Sequence, residues 1–469
     1  MGTRRGQTER LAAWLTRPVD GASLAAFRVL FGLLVLVAMT RFLLSGWIPR
    51  FYGEPTFFFK YWGFSWVEPM PVPGMFALYG VLALCGLAIA LGVHTRIAAA
   101  IFFVGFTYAE LIDVTNYLNH YYLVSMLALL LVFVPAGRAQ VPAWALYLVR
   151  LQVGVVYVYA GLAKMQPDWL LHAQPLNIWM TARVDTPIIG PLLDETWVHV
   201  AASWGAFLFD TTIVLWLSWR RSRPLAYAVL LGFHFMTGVF FNIGMFPAIM
   251  TLVATIFFAP DWPRALARRL GRLGSRLARL GRWLARAPQA AAPRAPLALR
   301  RAGFAAAGLF VAFQVLFPLR HYLYPGDVLW NEQGMRWAWK VMVREKHGSV
   351  TYHVHLPQRG VTVQVPPHRY LTPRQEREMA GQPDLVLQLA HHIADDFRRR
   401  GHGQVEVRAE ALVSLNGRRA RPMIDPAIDL ARVADDLAPA AWITPEPDEP
   451  PIRLSPQRAV ARTGRGGGR

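Results

Sequence analysis

The amino-acid sequence predicts a polytopic α-helical membrane protein, with about nine transmembrane helices and a C-terminal extracytoplasmic α+β domain. Three observations support this fold class. Of the 469 residues, 54% are hydrophobic and only 17% are charged, whereas soluble domains carry about a quarter charged residues. Long apolar runs recur before residue 320. After residue 320, apolar and polar residues alternate as they do in β-strands.

The net charge limits the kinds of molecule that this protein is expected to bind. The formal net charge is +20, which favours either nucleic acid or an anionic membrane surface. The apolar runs select membrane lipid, so no nucleic-acid partner is expected. The single cysteine, Cys85, lies inside an apolar run, which excludes an intramolecular disulfide. His353 and His355 have no third ligand at metal-binding spacing, so no metal site is predicted.

Nine apolar runs predict membrane spans, because a bilayer core about 30 Å thick needs roughly 20 helical residues. Residues 1–22 are predicted to be a cytoplasmic tail and residues 23–319 the transmembrane domain. The runs lie near residues 23–45, 73–93, 97–114, 118–135, 143–164, 197–219, 224–241, 244–259 and 302–319.

Basic residues in the short loops predict the orientation, since cytoplasmic loops are enriched in Lys and Arg. The N-terminal tail and the even-numbered loops carry most of them. In the loop 261–301, arginines recur beside leucines, which favours either a basic amphipathic helix on an anionic surface or a solvated linker. We therefore expect a multi-pass protein of the plasma or inner cell membrane, with its N-terminus in the cytoplasm.

Residues 320–444 predict the extracytoplasmic α+β domain. Val350–His355 and Val361–Val365 alternate between apolar and polar residues and predict strands. Pro373–Arg400 predicts an amphipathic helix, with Thr372 as its N-cap.

The end of the chain predicts one more strand and a tail. The strand covers Gln404–Leu415 and ends at Asn416-Gly417, a strong turn signal. Residues 445–469 are rich first in Pro, Glu and Asp and then in Arg and Gly, so we expect them to be disordered.

Four polar side chains within or at the ends of spans mark a candidate site, because polar groups are costly in the bilayer. Asn119 and His120 begin the fourth predicted span, Lys164 ends the fifth, and His234 lies near the outer end of the seventh. Each has a structural alternative: a lysine at a helix end can be a snorkelling anchor, and a histidine can simply hydrogen-bond between helices. Their shared depth in the outer leaflet favours a single site.

These residues belong to a set of polar motifs at fixed spacing. The motifs are Phe27–Gly32, Asp113–His120, Ala160–Lys164 followed by Asp168 and Trp169, His234 with Ile243–Phe246, Trp330, Trp337–Val343, Leu415–Asn416 and Asp425–Asp429. The set resembles the vitamin K-dependent gamma-glutamyl carboxylase family, in its bacterial form with the horizontally transferred transmembrane (HTTM) domain. The resemblance extends from about residue 22 to 432.

The resemblance implies a carbon–carbon lyase that couples two reactions. Lys164 would deprotonate a reduced vitamin K of the menaquinol or phylloquinol type, and O2 addition followed by collapse to the epoxide would yield a stronger base. That base would remove a γ-proton from glutamate, and the carbanion would take up CO2. A lysine in a poorly solvated pocket can serve as the base because its charged form is disfavoured there. Asn119 and His120 would hydrogen-bond the quinone oxygens, with His234 in the same pocket.

The glutamate-binding residues are expected in the C-terminal domain. Trp330, Trp337 and Trp339, with Arg344 or Lys346, would line the mouth of the site and receive a carboxylate of a protein or peptide. The alternative is that they are core tryptophans and a solvated strand edge. Arg344 and Met335 replace a histidine and a tyrosine of the animal members, so the quinol half of the chemistry is better supported than the protein-substrate half.

Two further functions remain open. One is a quinol epoxidase, an oxidoreductase that carboxylates nothing. The other is a membrane interaction protein with no enzymatic activity, although the presence of Lys164, Asn119 and His120 together argues against it.

Overall fold

The computed structural model describes residues 2–241, 243–271 and 297–454. Before residue 320 this part of the chain is mostly helical, and two three-residue strands, β1 (Pro18–Asp20) and β2 (Gln140–Pro142), pair antiparallel beside the helices. The helices are α1 (Gly2–Thr16), α2 (Ala22–Leu44), α3 (Val72–Leu91), α4 (Thr95–Leu111), α5 (Asn119–Phe133), α6 (Ala143–Ala163), α7 (Pro167–Leu170), α8 (Leu176–Thr181), α9 (Thr196–Ser218), α10 (Arg223–Phe240), α11 (Phe246–Val253), α12 (Trp262–Gly271) and α13 (Leu297–Leu316).

Six helices in the described residues are long and apolar enough to cross a membrane: α2, α3, α6, α9, α10 and the helical stretch Ala302–Leu323. The stretches Phe246–Phe257 and Trp262–Arg269, bent by 95° at their junction, make a seventh if they form one span. The predicted nine spans are therefore not confirmed. Two of the predicted spans correspond to α4 and α5, which have 17 and 15 residues and are shorter than the roughly 20 that a bilayer needs.

Small residues let α2 pack closely against α3. A Cβ atom on Gly32 would lie 2.6 Å from the carbonyl oxygen of Gly86. Arg28 is buried, and its guanidinium donates to the carbonyls of Ile89 and Ala90 at the C-terminal end of α3, where helical carbonyls lack intrahelical donors. The motif Phe27–Gly32 thus fixes the contact between two spans.

The C-terminal domain, residues 324–454, contains a four-stranded antiparallel sheet of order β4-β3-β5-β6. Helices pack on one face of the sheet, and their apolar side chains share a core with alternate residues of β3 and β5. The elements are α14 (Val328–Asn331), β3 (Lys346–Leu356), β4 (Val361–Val365), α15 (Pro373–Met379), α16 (Pro383–Arg399), β5 (Glu406–Leu415) and β6 (Arg421–Pro422).

The predicted strands and the N-cap of this domain are confirmed. Thr372 forms a capping box with Gln375, and Asn416 and Gly417 both have positive φ angles, 50° and 82°, as the turn requires. The single helix predicted for Pro373–Arg400 is wrong. Pro383 lacks an N–H donor and disfavours helix in the residue before it, so the chain breaks into α15 and α16.

The predicted disorder from residue 445 is also wrong as far as Leu454. Arg418 donates from Nε to the Glu449 carbonyl at 2.8 Å, and the Ile452 amide donates to the Gly417 carbonyl at 3.1 Å. This polar segment is ordered because the turn after β5 and helix α8 supply partners for its backbone. Residues 455–469 lie outside the described residues, as does most of the basic loop 261–301, of which α12 describes only the start.

Two carboxylates attach the C-terminal domain to one end of the helical bundle. Asp168, between α6 and α8, accepts two hydrogen bonds from the Arg418 guanidinium at 2.6 Å each and one from Asn416 Nδ2 at 2.9 Å. Asp113, after α4, accepts from Gln375 Nε2 at 2.8 Å. Both aspartates lie in the motifs identified from the sequence, which are therefore partly motifs of domain attachment.

Candidate functional site

A cavity of about 520 Å³ lies between the bundle and the C-terminal domain, among α6, α8, α9, α10 and α11. Its volume is in the range of small-molecule sites, and most of its lining is apolar. The polar groups on its wall include two pairs, Lys164 with Asp210 and Tyr157 with His234.

Lys164 forms a buried ion pair. Its Nζ lies 2.8 Å from Oδ2 of Asp210, with the two side chains 4% and 8% exposed. The same ammonium donates to the Ala160 carbonyl at 3.1 Å and lies 5.0 Å from the centre of the Trp169 ring. The predicted base is thus at the wall of an apolar cavity but has a carboxylate partner, and it is not a snorkelling side chain.

Asp210 is a site residue that the sequence interpretation missed. It lies in the middle of α9, which is long and apolar enough to span a membrane. A carboxylate inside a span is costly and marks a functional position, so the same criterion that selected Lys164 could have selected Asp210.

A glycine brings the two charged groups together. A Cβ atom on Gly161 would lie 2.8 Å from the backbone nitrogen of Thr211, so only glycine permits this approach of α6 to α9. Gly161 precedes Lys164 by three residues and Thr211 follows Asp210. The close contact between the helices therefore sets the distance between Lys164 and Asp210.

His234 lines the same cavity, as predicted, and has a tyrosine partner. Its Nε2 lies 2.8 Å from the hydroxyl of Tyr157, and both residues are buried. Tyr157 is about one turn before Gly161 on α6, and the sequence interpretation did not include it. This pair adds a second hydrogen-bonding position to a wall that is otherwise largely apolar.

Asn119 and His120 are near this cavity but do not line it. The His120 ring centre lies 6.0 Å from that of Phe246, which lines the cavity and lies 6.5 Å from the His234 ring. Phe246 therefore separates the two histidines. Asn119 instead accepts a hydrogen bond from the Tyr117 hydroxyl at 2.9 Å.

The tryptophan segment of the C-terminal domain covers this end of the bundle. Trp337, Trp339 and Met342 have positive φ angles of 59°, 55° and 54°, which cost free energy in residues other than glycine. The carbonyl of Val341 accepts from Lys164 Nζ at 3.4 Å, and Val341 and Met342 line the cavity. A strained segment of the C-terminal domain thus closes the cavity over Lys164.

The predicted substrate-binding tryptophans are packed within the protein. Trp330 is buried and donates from Nε1 to the Thr444 carbonyl at 2.8 Å. Trp339 is buried beside Tyr122, with ring centres 5.0 Å apart. Trp337 is only partly buried and stacks on Tyr61. This packing matches the core-tryptophan alternative for Trp330 and Trp339.

Arg344 lies in a cluster of charged side chains with Glu332 and Lys346. Its guanidinium is bonded to the Glu332 carboxylate, and Lys346 Nζ lies 3.3 Å from the same carboxylate. Burial, with the nearby Arg344 charge, lowers the pKa of Lys346 well below its usual value. Arg344 is the accessible member, with 26% of its side chain exposed, so a carboxylate from outside can reach it.

Two family models match this chain. The model of the HTTM domain matches residues 16–262, more than half of the sequence, and the model of the lumenal domain of vitamin K-dependent gamma-carboxylase matches residues 299–449. The chain belongs to the vitamin K-dependent gamma-glutamyl carboxylase family. No solved structure matches the chain.

Membership of the carboxylase family accounts for both parts of the structure. The HTTM match includes the cavity wall from Tyr157 to Met250, and the lumenal-domain match includes the segment that covers Lys164. The family supports a membrane protein with a lumenal or extracytoplasmic C-terminal domain and a carboxylase-like function. Within residues 2–241, 243–271 and 297–454, no group of three or more His, Cys, Asp or Glu side chains could hold a metal ion.

Proposed function

We propose that this protein oxygenates a reduced naphthoquinone of the vitamin K type to its epoxide and couples that reaction to the carboxylation of glutamate. One observation carries the proposal: a buried lysine–aspartate pair lies on the wall of an otherwise largely apolar cavity of about 520 Å³. A naphthoquinol is an apolar bicyclic molecule with two hydroxyl groups, and this combination of lining and polar groups fits it.

The opening of the cavity supports a lipid-soluble substrate. Trp197 on α9 and Met236 on α10 line the cavity and are also exposed on the outside of the helical bundle. Apolar side chains exposed on a membrane helix face lipid. A quinol with an isoprenoid tail could therefore enter from the membrane without crossing water.

In this proposal the Lys164–Asp210 pair is the base. Lys164 can take a proton only after it has lost one, and Asp210 Oδ2 lies 2.8 Å from its Nζ. Transfer of that proton to Asp210 replaces an ion pair by a neutral pair, so the charge of the cavity does not change and the cost of burying two charges is removed. The amine lone pair then accepts from the Asp210 carboxyl, and rotation about the Cε–Nζ bond would turn it toward a quinol hydroxyl in the cavity, where it acts as the base. The quinol itself supplies the reducing electrons for O2 and, after oxygenation, the strong base that carboxylation requires.

The other site residues receive secondary roles. The Tyr157–His234 pair offers a hydrogen bond to the second polar end of a quinol. His120, behind Phe246, would reach the quinol only if that ring turned aside, and Asn119 holds Tyr117, whose hydroxyl accepts from the Trp337 amide at 2.7 Å. We assign Arg344 to the carboxylate of a glutamate-containing protein or peptide. The site would then face the outside of the cell membrane, where the C-terminal domain is expected.

The test uses the purified full chain with reduced vitamin K, labelled bicarbonate and a glutamate peptide, measuring both epoxide and fixed label. Lys164→Arg should lower both products by about 10²–10⁴-fold, the usual effect of losing a general base, because arginine cannot give up its proton. Lys60→Arg is the matched control, since Lys60 pairs with Glu68 and does not line the cavity. Activity of Lys164→Arg within about three-fold of the parent, far above the loss expected for a general base, would reject Lys164 as the base.

Arg344→Ala tests the carboxylation half separately. Loss of one charge-assisted hydrogen bond costs about 1.5–3 kcal/mol, so fixed label at low peptide concentration should fall about 10- to 150-fold. Epoxide formed without peptide should not change. Abolition of that epoxide would contradict the separation of the two sites.

One observation favours a second candidate function, quinol epoxidation without carboxylation. Glu332 of the chain itself already occupies the Arg344 guanidinium, and an incoming carboxylate must displace it. Epoxide formation that is indifferent to peptide, with no label fixed, would establish this second function in place of the first.

A further inference from the structure

A second, smaller cavity of about 70 Å³ lies where the ends of α2, α3, α4 and α5 meet helix α15. It exceeds the volume that a single water molecule needs, roughly 10–15 Å³ on the same kind of measure. Six aromatic rings form most of its wall, and none of its lining residues lines the larger cavity. The rings belong to Phe42, Phe51, Tyr52, Tyr79, Phe106 and Tyr121.

Two polar atoms at this cavity have no partner. Glu110 Oε1 and Asn116 Nδ2 are buried, and neither makes a hydrogen bond in the part of the chain that the structure describes. Such atoms are rare in folded proteins, where nearly all buried polar groups are satisfied. A carboxylate oxygen accepts and an amide nitrogen donates, so the cavity offers one of each to a ligand.

The surroundings of Glu110 favour a positively charged ligand. The Glu110 carboxyl bonds to the Ser125 side chain, but no ion pair to it is found among the described residues, and a buried carboxylate is ionised at low cost only beside a cation. Aromatic faces attract ammonium and guanidinium groups, and the Arg374 guanidinium already lies 4.6 Å from the Phe51 ring centre. Arg374 does not neutralise Glu110, because it bonds to Asn116 and the Thr115 carbonyl and interacts electrostatically with Asp113.

We propose that this cavity binds the head group of an ethanolamine lipid. The primary ammonium would occupy the aromatic cavity and bond to Glu110, and the phosphate would meet Asn116 Nδ2 and Arg374. The location supports a lipid source, because Glu110 is in the last turn of α4 and Arg374 is in the C-terminal domain. The cavity therefore lies at the junction of the bundle with that domain, where the proposal places the lipid head groups. This inference does not depend on the proposed quinol chemistry.

The test uses the full chain in lipid nanodiscs, with phosphatidylethanolamine as the probe and phosphatidylglycerol as the reference lipid. Native mass spectrometry should show phosphatidylethanolamine retained on the parent, and the Tm should be higher in discs that contain it, since a ligand that binds only the folded state stabilises it. Glu110→Gln should weaken retention by about ten-fold or more, the scale of one buried charge-assisted hydrogen bond. Glu68→Gln, an exposed glutamate in a nearby loop, should retain the lipid like the parent.

A second variant covers the case in which Glu110→Gln fails to fold. Phe51→Leu keeps an apolar side chain but removes one aromatic face, and retention should fall about three- to ten-fold. Equal retention of both lipids by the parent, or parental retention by both variants, would overturn the proposal. So would a Tm rise with soluble ethanolamine in discs where phosphatidylethanolamine itself has no effect, because the ligand would then not be a lipid.

Discussion

The groups around the Lys164 amine determine whether this residue can act as a base. An isolated lysine in an apolar pocket would be a neutral base, which is what the sequence interpretation assumed. The structure instead places Asp210 at 2.8 Å, so the pair has a net charge of zero, and the proposed mechanism moves a proton within it. Arginine at the same position would keep the ion pair but not the proton transfer, which is why the Lys164→Arg variant separates catalysis from folding.

Asp210→Asn should destabilise the protein by about 3–5 kcal/mol, because it leaves a buried amine without its carboxylate partner. The double change Lys164→Met with Asp210→Leu should recover most of that loss, since apolar residues of similar volume often replace a buried ion pair at little cost. Thermal unfolding in a constant detergent measures both effects. Equal Tm values for the parent and Asp210→Asn would mean that the ion pair contributes nothing to folding.

Close contacts between helices position the residues of the candidate site, and glycines permit these contacts. Gly32 and Gly86 bring α2 against α3, while Gly161 brings α6 against α9. Glycine also costs helix propensity, so the close approach at Gly161 marks a packing requirement, unlike a glycine whose added Cβ would meet no neighbour. The alternation of apolar residues in β3 and β5 has the same meaning for the C-terminal domain, where it selects the face that α16 covers.

Gly161→Ala should separate α6 from α9 and move Lys164 away from Asp210. Overpacking of this kind costs about 1–3 kcal/mol, and epoxide formation should fall with it. Gly80→Ala is the matched control, because a Cβ atom on Gly80 has no neighbour within 4 Å and alanine favours helix. A Gly161→Ala variant with parental Tm and activity would show that neither stability nor activity depends on the close contact between α6 and α9.

A pair of carboxyl groups makes the C-terminal domain sensitive to pH. Burial and the neighbouring Asp327 carboxylate raise the pKa of Glu446 from 4.5 to about 7. A raised folded-state pKa adds stability that is complete below pH 4.5 and is lost as the pH rises through 7. Glu446→Gln, which stays neutral, should therefore raise the Tm relative to the parent above about pH 7 and have little effect near pH 4.5.

Asp327→Asn provides the control for the pH effect. Asparagine keeps the N-cap of α14, where the Leu329 amide bonds to Asp327 Oδ1 at 2.8 Å, but removes the charge that acts on Glu446. In that background the benefit of Glu446→Gln should shrink. A benefit of the same size at every pH would indicate a change in packing and not a titration.

For the whole molecule, the decisive feature is the attachment of the C-terminal domain to one end of the bundle. Asp168 and Asp113 make this attachment through Arg418, Asn416 and Gln375. The proposed quinol cavity needs both parts, since Val341 and Met342 close it from the C-terminal side. In the part of the chain that the structure describes, six helices qualify as spans, or seven if the bent pair is one span. Only the odd number places the N-terminus and the C-terminal domain on opposite sides of the membrane.

A reporter fusion tests that topology. A reporter fused after Arg320 should be active outside the cytoplasm, and one fused after Arg276 should be active inside, because arginine-rich loops remain in the cytoplasm. Activity of both reporters on one side would refute the seven-span arrangement. Lys164 and the C-terminal domain are in contact, so they must still lie at the same face.

The sequence by itself determined the class of this protein and most of its local structure. Local features could be predicted because they depend only on residues close in the sequence. They are the apolar runs of about 20 residues, the alternation in Val350–His355, the cap at Thr372 and the turn at Asn416-Gly417. The polar motifs also identified the family. They indicated Lys164 and His234 as candidate site residues, because a polar side chain in a membrane span is costly.

Only the tertiary structure decided which residues face one another. Asp210 is 46 positions from Lys164, and Glu332 is 12 from Arg344; neither partner is indicated by local spacing, because the chain path between them sets the contact. For the same reason the tertiary structure put Phe246 between His120 and His234, and buried Trp330 and Trp339. The burial of a polar side chain and the identity of its partner both depend on long-range packing. Together they determine whether that side chain can act as a base, bind a ligand or attach one domain to another.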